Sequence, residues 1–166
     1  YTFKSFTPIA QGALGPLVLV THKSIPVNNV SELVAYAKLN PGKLNYVSQG
    51  VGTSAHIFGQ MFAQQTGIDI VHVPYKGAND VAKDFIAGRV HLQFASSSAA
   101  VALAKSGEVR LLATVAPRRS ALFPELPTMG EQGYPALHGP RVRRRAPRSS
   151  EIPLPEECLW APRTVI

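Results

Sequence analysis

A chain of 166 residues, 45% hydrophobic and 16% charged, is the size of one globular domain and has enough apolar side chain for a core; an intrinsically disordered or fibrous chain is excluded. Its one cysteine, Cys158, excludes a disulfide framework or a cysteine zinc site within the chain, and no apolar run reaches the roughly 18 residues of a membrane-spanning helix. The net charge of +7 is unevenly spread: residues 1–135 hold 11 Lys and Arg against 7 Asp and Glu, an ordinary solvated surface, whereas residues 136–166 hold 6 Arg against 3 Glu.

The opening "YTFKSF" has neither an initiator Met nor a signal-peptide pattern, so the chain is expected to be an internal piece of a longer protein. "FTPIAQGALGPLVLVTHKSIPV" reads as two strand-like segments around a Gly-rich break and could belong to a second, incomplete domain. Asn29 followed by Glu32 forms a capping box ahead of "VSELVAYAK", with Val30, Leu33, Val34 and Ala37 on one face, and Asn40-Pro41-Gly42 ends that helix. The strand "LNYVS" leads into the loop "QGVGTS" and a helix in which Ile57, Phe58, Met61 and Phe62 mark the buried face, closed by Gly67.

"IDIVHVPY" is the next strand, and Ala78 or Asn79 opens a helix with Val81, Phe85 and Ile86 inward and Gly88 at its end. Then follow "VHLQFA", a short helix around "AAVALAKSG" starting near Ser98, and "VRLLATVA". This βαβαβαβ alternation over residues 44–116 predicts a parallel-rich sheet with helices on both faces, ligands being bound at the C-terminal ends of the strands. Its expected core is Val47, Phe58, Phe62, Val71, Val73, Phe85, Ile86, Phe94, Leu111 and Leu112. Residues 136–166 show neither alternation nor helical period, and are expected to be disordered or loosely attached.

Four chemistries compete for the loop at 49–54. Gly50-Val51-Gly52-Thr53-Ser54-Ala55 matches the dinucleotide pattern G-x-G-x-x-G/A, but the following strand ends in "VPYKG" without the acid that would hold a ribose. A nucleophile elbow fails because His56 stands where the second Gly belongs, and side chains two residues apart diverge around a helix. His22, His72, His91 and His138 show no metal-ligand spacing and read as structural or exposed, so no metal or cofactor is expected. An anion site remains: N–H groups of Gly52, Thr53, Ser54 and Ala55 at the helix start, with the hydroxyls of Ser48, Thr53 and Ser54. Spacing alone leaves that reading level with a plain helix cap.

"NPGKLNYVSQGVGTSAHIFGQMF", "IVHVPYKGANDVAKDFIAGRV" and "LPTMGEQGYP" together resemble the substrate-binding proteins of tripartite tricarboxylate transporters, the Bug receptor family, over roughly residues 5–135. The resemblance implies an α/β, periplasmic-binding-protein-like fold and a non-enzymatic periplasmic receptor, monomeric, that passes a small organic acid to membrane permease subunits. It implies a partial first lobe with crossover strands over 1–27, a near-complete second lobe over 28–135 and a divergent tail over 136–166. It also implies that the ligand carboxylate meets Ser48, Gly50, Gly52, Thr53 and Ser54, with Tyr75, Lys76, Gly77, Ala95 and Ser96 facing the same cleft. The resemblance also implies that the family usually has an acidic residue where His91 stands and often one where Ala95 stands. Past Tyr134-Pro135 the resemblance stops, and the Arg- and Pro-rich run is what a shifted reading frame in GC-rich DNA encodes. A nucleotide-binding enzyme domain, or a basic module that binds nucleic acid or an anionic surface, is the alternative reading.

Overall fold

The computed structural model describes residues 15–137. Five strands, β1 (Leu17–His22), β2 (Leu44–Ser48), β3 (Ile70–Pro74), β4 (Leu92–Ser96) and β5 (Val109–Val115), form one sheet in the order β3-β2-β4-β1-β5. β2 pairs in parallel with β3 and β4, while β1 is antiparallel to both β4 and β5. The four strands expected to run parallel do so, but β4 and β5 are separated by β1. "LVLVTH" is therefore the second strand from one edge of this sheet rather than part of a separate lobe, and only the earlier "FTPIA" lies outside the described residues.

Helices α1 (Val30–Leu39), α2 (Ser54–Thr66), α3 (Ala78–Ile86) and α4 (Ser97–Lys105) begin within one residue of their expected starts. Local chemistry explains this accuracy. Asn29 Oδ1 accepts from the Glu32 N–H at 2.8 Å while Glu32 reaches back to the Asn28 N–H at 2.7 Å, so two otherwise orphaned amides are satisfied. α2 stops at Gly67, whose φ of 66° a side chain would strain.

The sheet separates two cores. α1 and α2 cover one face, where Phe62, Tyr46, Leu33, Leu44, Leu92 and Phe94 are fully or almost fully buried. α3 and α4 cover the other, over Val18, Val20, Val47, Val81, Phe85 and Leu103. Most of the expected core is buried, with Val73 and Leu111 half-buried. Three expected positions are exposed: Val71 at 49%, Ile86 at 41% and Ile57 at 48%. Val71 lies on β3, the edge strand, and Ile57 and Ile86 lie on the flanks of helices that reach the sheet along a narrower stripe than the sequence pattern suggested.

After β5 the chain straps back along it. Thr114 accepts from the Met129 N–H and donates to the Pro127 carbonyl, and Gln132 ties β5 to α1 by donating to Leu112 O and accepting from the Val30 N–H, both at 2.7 Å. Leu137 is 1% exposed and part of the core. This corrects the expectation of a loose segment from residue 136, since the packed chain continues at least two residues further; residues 138–166 lie outside the described residues.

Candidate functional site

Order and connection place the site. From β2 the chain passes through α2 on one face to β3, and from β4 it passes through α4 on the other face to β5, so the adjacent strands β2 and β4 send their connections to opposite faces. A crevice opens at the C-terminal ends of such a pair. The loop 49–53, the turn at 75–77 and the start of α4 all lie at that end.

The loop after β2 is held by its own polar groups. Ser48 is fully buried; its hydroxyl donates to Gly50 O at 2.9 Å and lies 2.8 Å from His72 Nε2. Thr53 Oγ1 also donates to Gly50 O, at 2.8 Å, and the Gly52 N–H donates to His56 Nδ1 at 3.3 Å. Gly50 and Gly52 have φ of 133° and 83°, values that a side chain would strain and that let the loop fold back on this carbonyl.

Thr53 is the N-cap residue of α2, but its side chain makes no capping bond. Among the described residues, none accepts from the N–H of Ser54, Ala55 or His56. The open donors are thus shifted along the chain from the expected Gly52–Ala55 set, because the Gly52 and Thr53 amides are spent within the loop. α3 repeats the arrangement: its N-cap is Gly77, with no side-chain cap and no described acceptor for Ala78, Asn79 or Asp80. At α4 the Ser96 hydroxyl accepts from the Ala99 N–H, leaving the amides of Ser97 and Ser98 without a described acceptor. Three helix N-termini therefore gather at one sheet edge, each contributing unpaired N–H groups and the positive end of its dipole, an arrangement suited to a negative ligand.

The remaining expected residues take different parts. Lys76 is exposed beside this edge. Tyr75 fixes the turn, its N–H donating to Ser48 O and its hydroxyl to Asp84 at 2.7 Å, and Asp84 also pairs with Arg89. The bond to Asp84 raises the Tyr75 pKa, and the Tyr75 hydroxyl, with Arg89, holds the Asp84 carboxyl below its usual range. Ala95 is buried in the sheet and presents no exposed atom. His91 stands just before β4, at the opposite end of the sheet, where its Nδ1 accepts from the Asn45 N–H.

His56 and His72 meet behind the loop with ring centroids 4.3 Å apart, and His72 stacks on buried Tyr46 at 4.9 Å. Burial, reinforced by His56, lowers the His72 pKa, keeping a neutral ring against Ser48. The signal available in the sequence was parity: with β2 and β3 parallel and Tyr46 opposite His72, the side chains of Tyr46, Ser48 and His72 fall on one face. No group of three His, Cys, Asp or Glu that could hold a metal occurs among the described residues. No helix among them is long and apolar enough to cross a membrane.

Comparison with known proteins shows the family and the fold. Residues 1–142 match the model of the tripartite tricarboxylate transporter family receptor. The BugT protein of Bordetella pertussis is 33% identical over 132 residues, 80% of this chain and 40% of BugT. The structure of Rpa4515 from R. palustris, solved with adipate, superposes with a TM-score of 0.72 at 35% identity, covering 75% of this chain and 42% of that one. The periplasmic binding protein BugD gives 0.71 at 29% identity, with coverage of 75% and 42%. The chain spans about two fifths of the length of the relatives it matches. The family match runs through residue 142, beyond the point where the sequence motifs ended, and on this evidence of family model, relatives and fold the chain belongs to the receptor family of tripartite tricarboxylate transporters.

Proposed function

We propose that this chain supplies the ligand-gripping lobe of an extracytoplasmic solute receptor that carries a small carboxylate to the permease of a tripartite transporter. The observation that supports the reading is the gathering of the α2, α3 and α4 N-termini, with their unpaired amides, at the switch point of the sheet. A carboxylate there accepts from the amides of Ser54–His56, with Ser48, Gly50 and Gly52 shaping the loop and Thr53 bracing it. Gly77 opens α3 without a cap of its own, Ser96 trims the α4 end, and Lys76 adds a mobile positive charge. The adipate in Rpa4515, at 35% identity, makes a dicarboxylate the first ligand to test. That this lobe takes in β1 and runs at least to Leu137, and that it lies in the periplasm, belong to the same proposal.

The dipole of one helix contributes about 1–2 kcal/mol in a partly buried site, and micromolar affinity needs about 8 kcal/mol. A chain two fifths the length of its relatives is therefore expected to bind with affinity on the order of millimolar. Titration of the full chain with adipate, followed by backbone amide shifts, tests this. Saturable shifts should centre on residues 54–56, 78–80 and 97–98; shifts centred elsewhere, or none at tens of millimolar, would refute the reading.

A further inference from the structure

Two imidazole rings stand directly behind the loop, and their hydrogen bonds fix where each can take a proton. His56, on the first turn of α2, accepts at Nδ1 from the Gly52 N–H at 3.3 Å. A ring nitrogen that accepts carries no proton, so this ring holds its proton on Nε2. His72 on β3 is fixed by Ser48. The Ser48 hydroxyl accepts from the Gly50 N–H at 3.2 Å and spends its one proton on Gly50 O, so in the 2.8 Å bond to His72 Nε2 the ring is the donor. The two rings lie 4.3 Å apart between centroids, tilted by 39°.

A second proton on His56 can go only to Nδ1. There it would turn the acceptor of the Gly52 N–H into a donor, so the loop bond and a charged ring exclude each other. The surroundings also oppose the charge while the edge is empty. Beside the ring are His72 and the positive end of α2, and Lys76 stands on the turn after β3. Tyr46, which faces His72 from β2, is kept neutral by burial. No Asp or Glu occurs between residues 46 and 66, and among the described residues none pairs with either ring. Asp69 precedes β3 at the other end of the sheet, and Asp80 and Asp84 belong to α3 on the opposite face.

A carboxylate on the amides of Ser54–His56 reverses this balance. It brings the missing negative charge to the first turn of α2, and it offers the Gly52 N–H another acceptor. We infer, resting on the carboxylate reading above, that His56 is a proton-linked positioning residue: the ligand binds together with one proton on His56 Nδ1, and the Gly52 amide passes from the ring to the carboxylate. The empty loop stays folded on itself. The filled one exchanges an internal bond for one to the ligand, so the lobe grips an acid more firmly in acidic surroundings and releases it more readily in alkaline ones.

Adipate titrations of the full chain at pH 6 and pH 8, followed by backbone amide and histidine ring shifts, test the inference. Binding should be about tenfold tighter at pH 6, the equivalent of one unit of proton affinity gained from the bound charge. The Gly52 amide should move with those of 54–56, and the His56 ring should take on the shifts of an imidazolium as adipate saturates. His56→Gln stays neutral throughout and should bind equally at both pH values, whereas His56→Lys, charged at both, should bind at pH 8 about as tightly as the parent does at pH 6. Affinity that is flat or weaker at pH 6, with shifts still centred on 54–56, would overturn the proton link and leave the carboxylate reading standing. So would a pH dependence that survives His56→Gln, or His56→Lys binding no more tightly than the parent at pH 8. No shifts at 54–56 at either pH would overturn both.

Discussion

The two ends of the sheet are built on opposite rules. Where β2 and β4 begin, polar groups are matched: the Asn45 N–H donates to His91 Nδ1, the His91 N–H donates to Asn45 Oδ1 at 2.8 Å, and Arg110 donates to the carbonyls of Ile25 and Val27. Where β2 and β4 finish, the loop spends its hydroxyls on itself and leaves the first amides of three helices without a described acceptor. The open amides stand mostly on exposed residues, where water or an anion can accept from them, whereas the matched pairs at the other end hold the fold. His91 stands a full strand length from the open amides.

Substitutions can break that contrast or sharpen it. The largest effect is expected from Phe62→Ala, which removes a fully buried ring packed edge-on to Phe94 and Tyr134 beneath both ends. Urea denaturation should show a loss of about 3–5 kcal/mol, and a loss below about 1 would mean that α2 is not held as described. Asn45→Ala should cost about 1–3 kcal/mol by leaving the His91 N–H unpaired, with adipate shifts at residues 54–56 unchanged. Weakened ligand binding by this variant would show that the two ends are not independent.

Within the ligand edge, Ser96→Ala deletes a working N-cap and should cost about 1 kcal/mol. Thr53→Ala, at an N-cap whose side chain bonds a loop carbonyl instead, should cost about half as much while loosening residues 50–53; equal or reversed costs would contradict the loop geometry. The smallest effect is on pH dependence. Burial, with His56 and His22 respectively, holds the pKa values of His72 and His91 below the ordinary 6.5. Between the folded and unfolded values the unfolded chain binds more protons, so stability is retained above about 6.5 and lost as pH falls from there toward the folded values. Asp84 and Glu131, held below their usual range chiefly by the Tyr75 hydroxyl and the Thr128 N–H, remain ionised through that window. The urea midpoint should be lower at pH 5.5 than at pH 7.5, and an equal or higher midpoint would show that the rings are not kept neutral.

Sequence alone determined the kinds, order and starts of the elements. The signals are carried by near neighbours: the Asn29–Glu32 box, the apolar period of 30–37, the αL glycine at 67 and the glycines that free the 50–52 turn. It also placed the candidate loop, since strand-loop-helix order puts residues 49–54 at a strand's C-terminal end whatever the neighbours of that strand. Tertiary structure decided what depends on partners distant in the chain. The insertion of β1 between β4 and β5 rests on antiparallel pairing across more than 70 residues, and the Gln132 clamp joins residues about 100 apart. The meeting of His56 with His72 and the unpaired Gln93 oxygen under α3 and α4 are equally invisible to a local window. So is the exposure of Val71, Ile57 and Ile86. Hydrogen-bond register and side-chain burial are properties of the assembled sheet, whereas capping and periodicity act within a turn or two of one helix or strand.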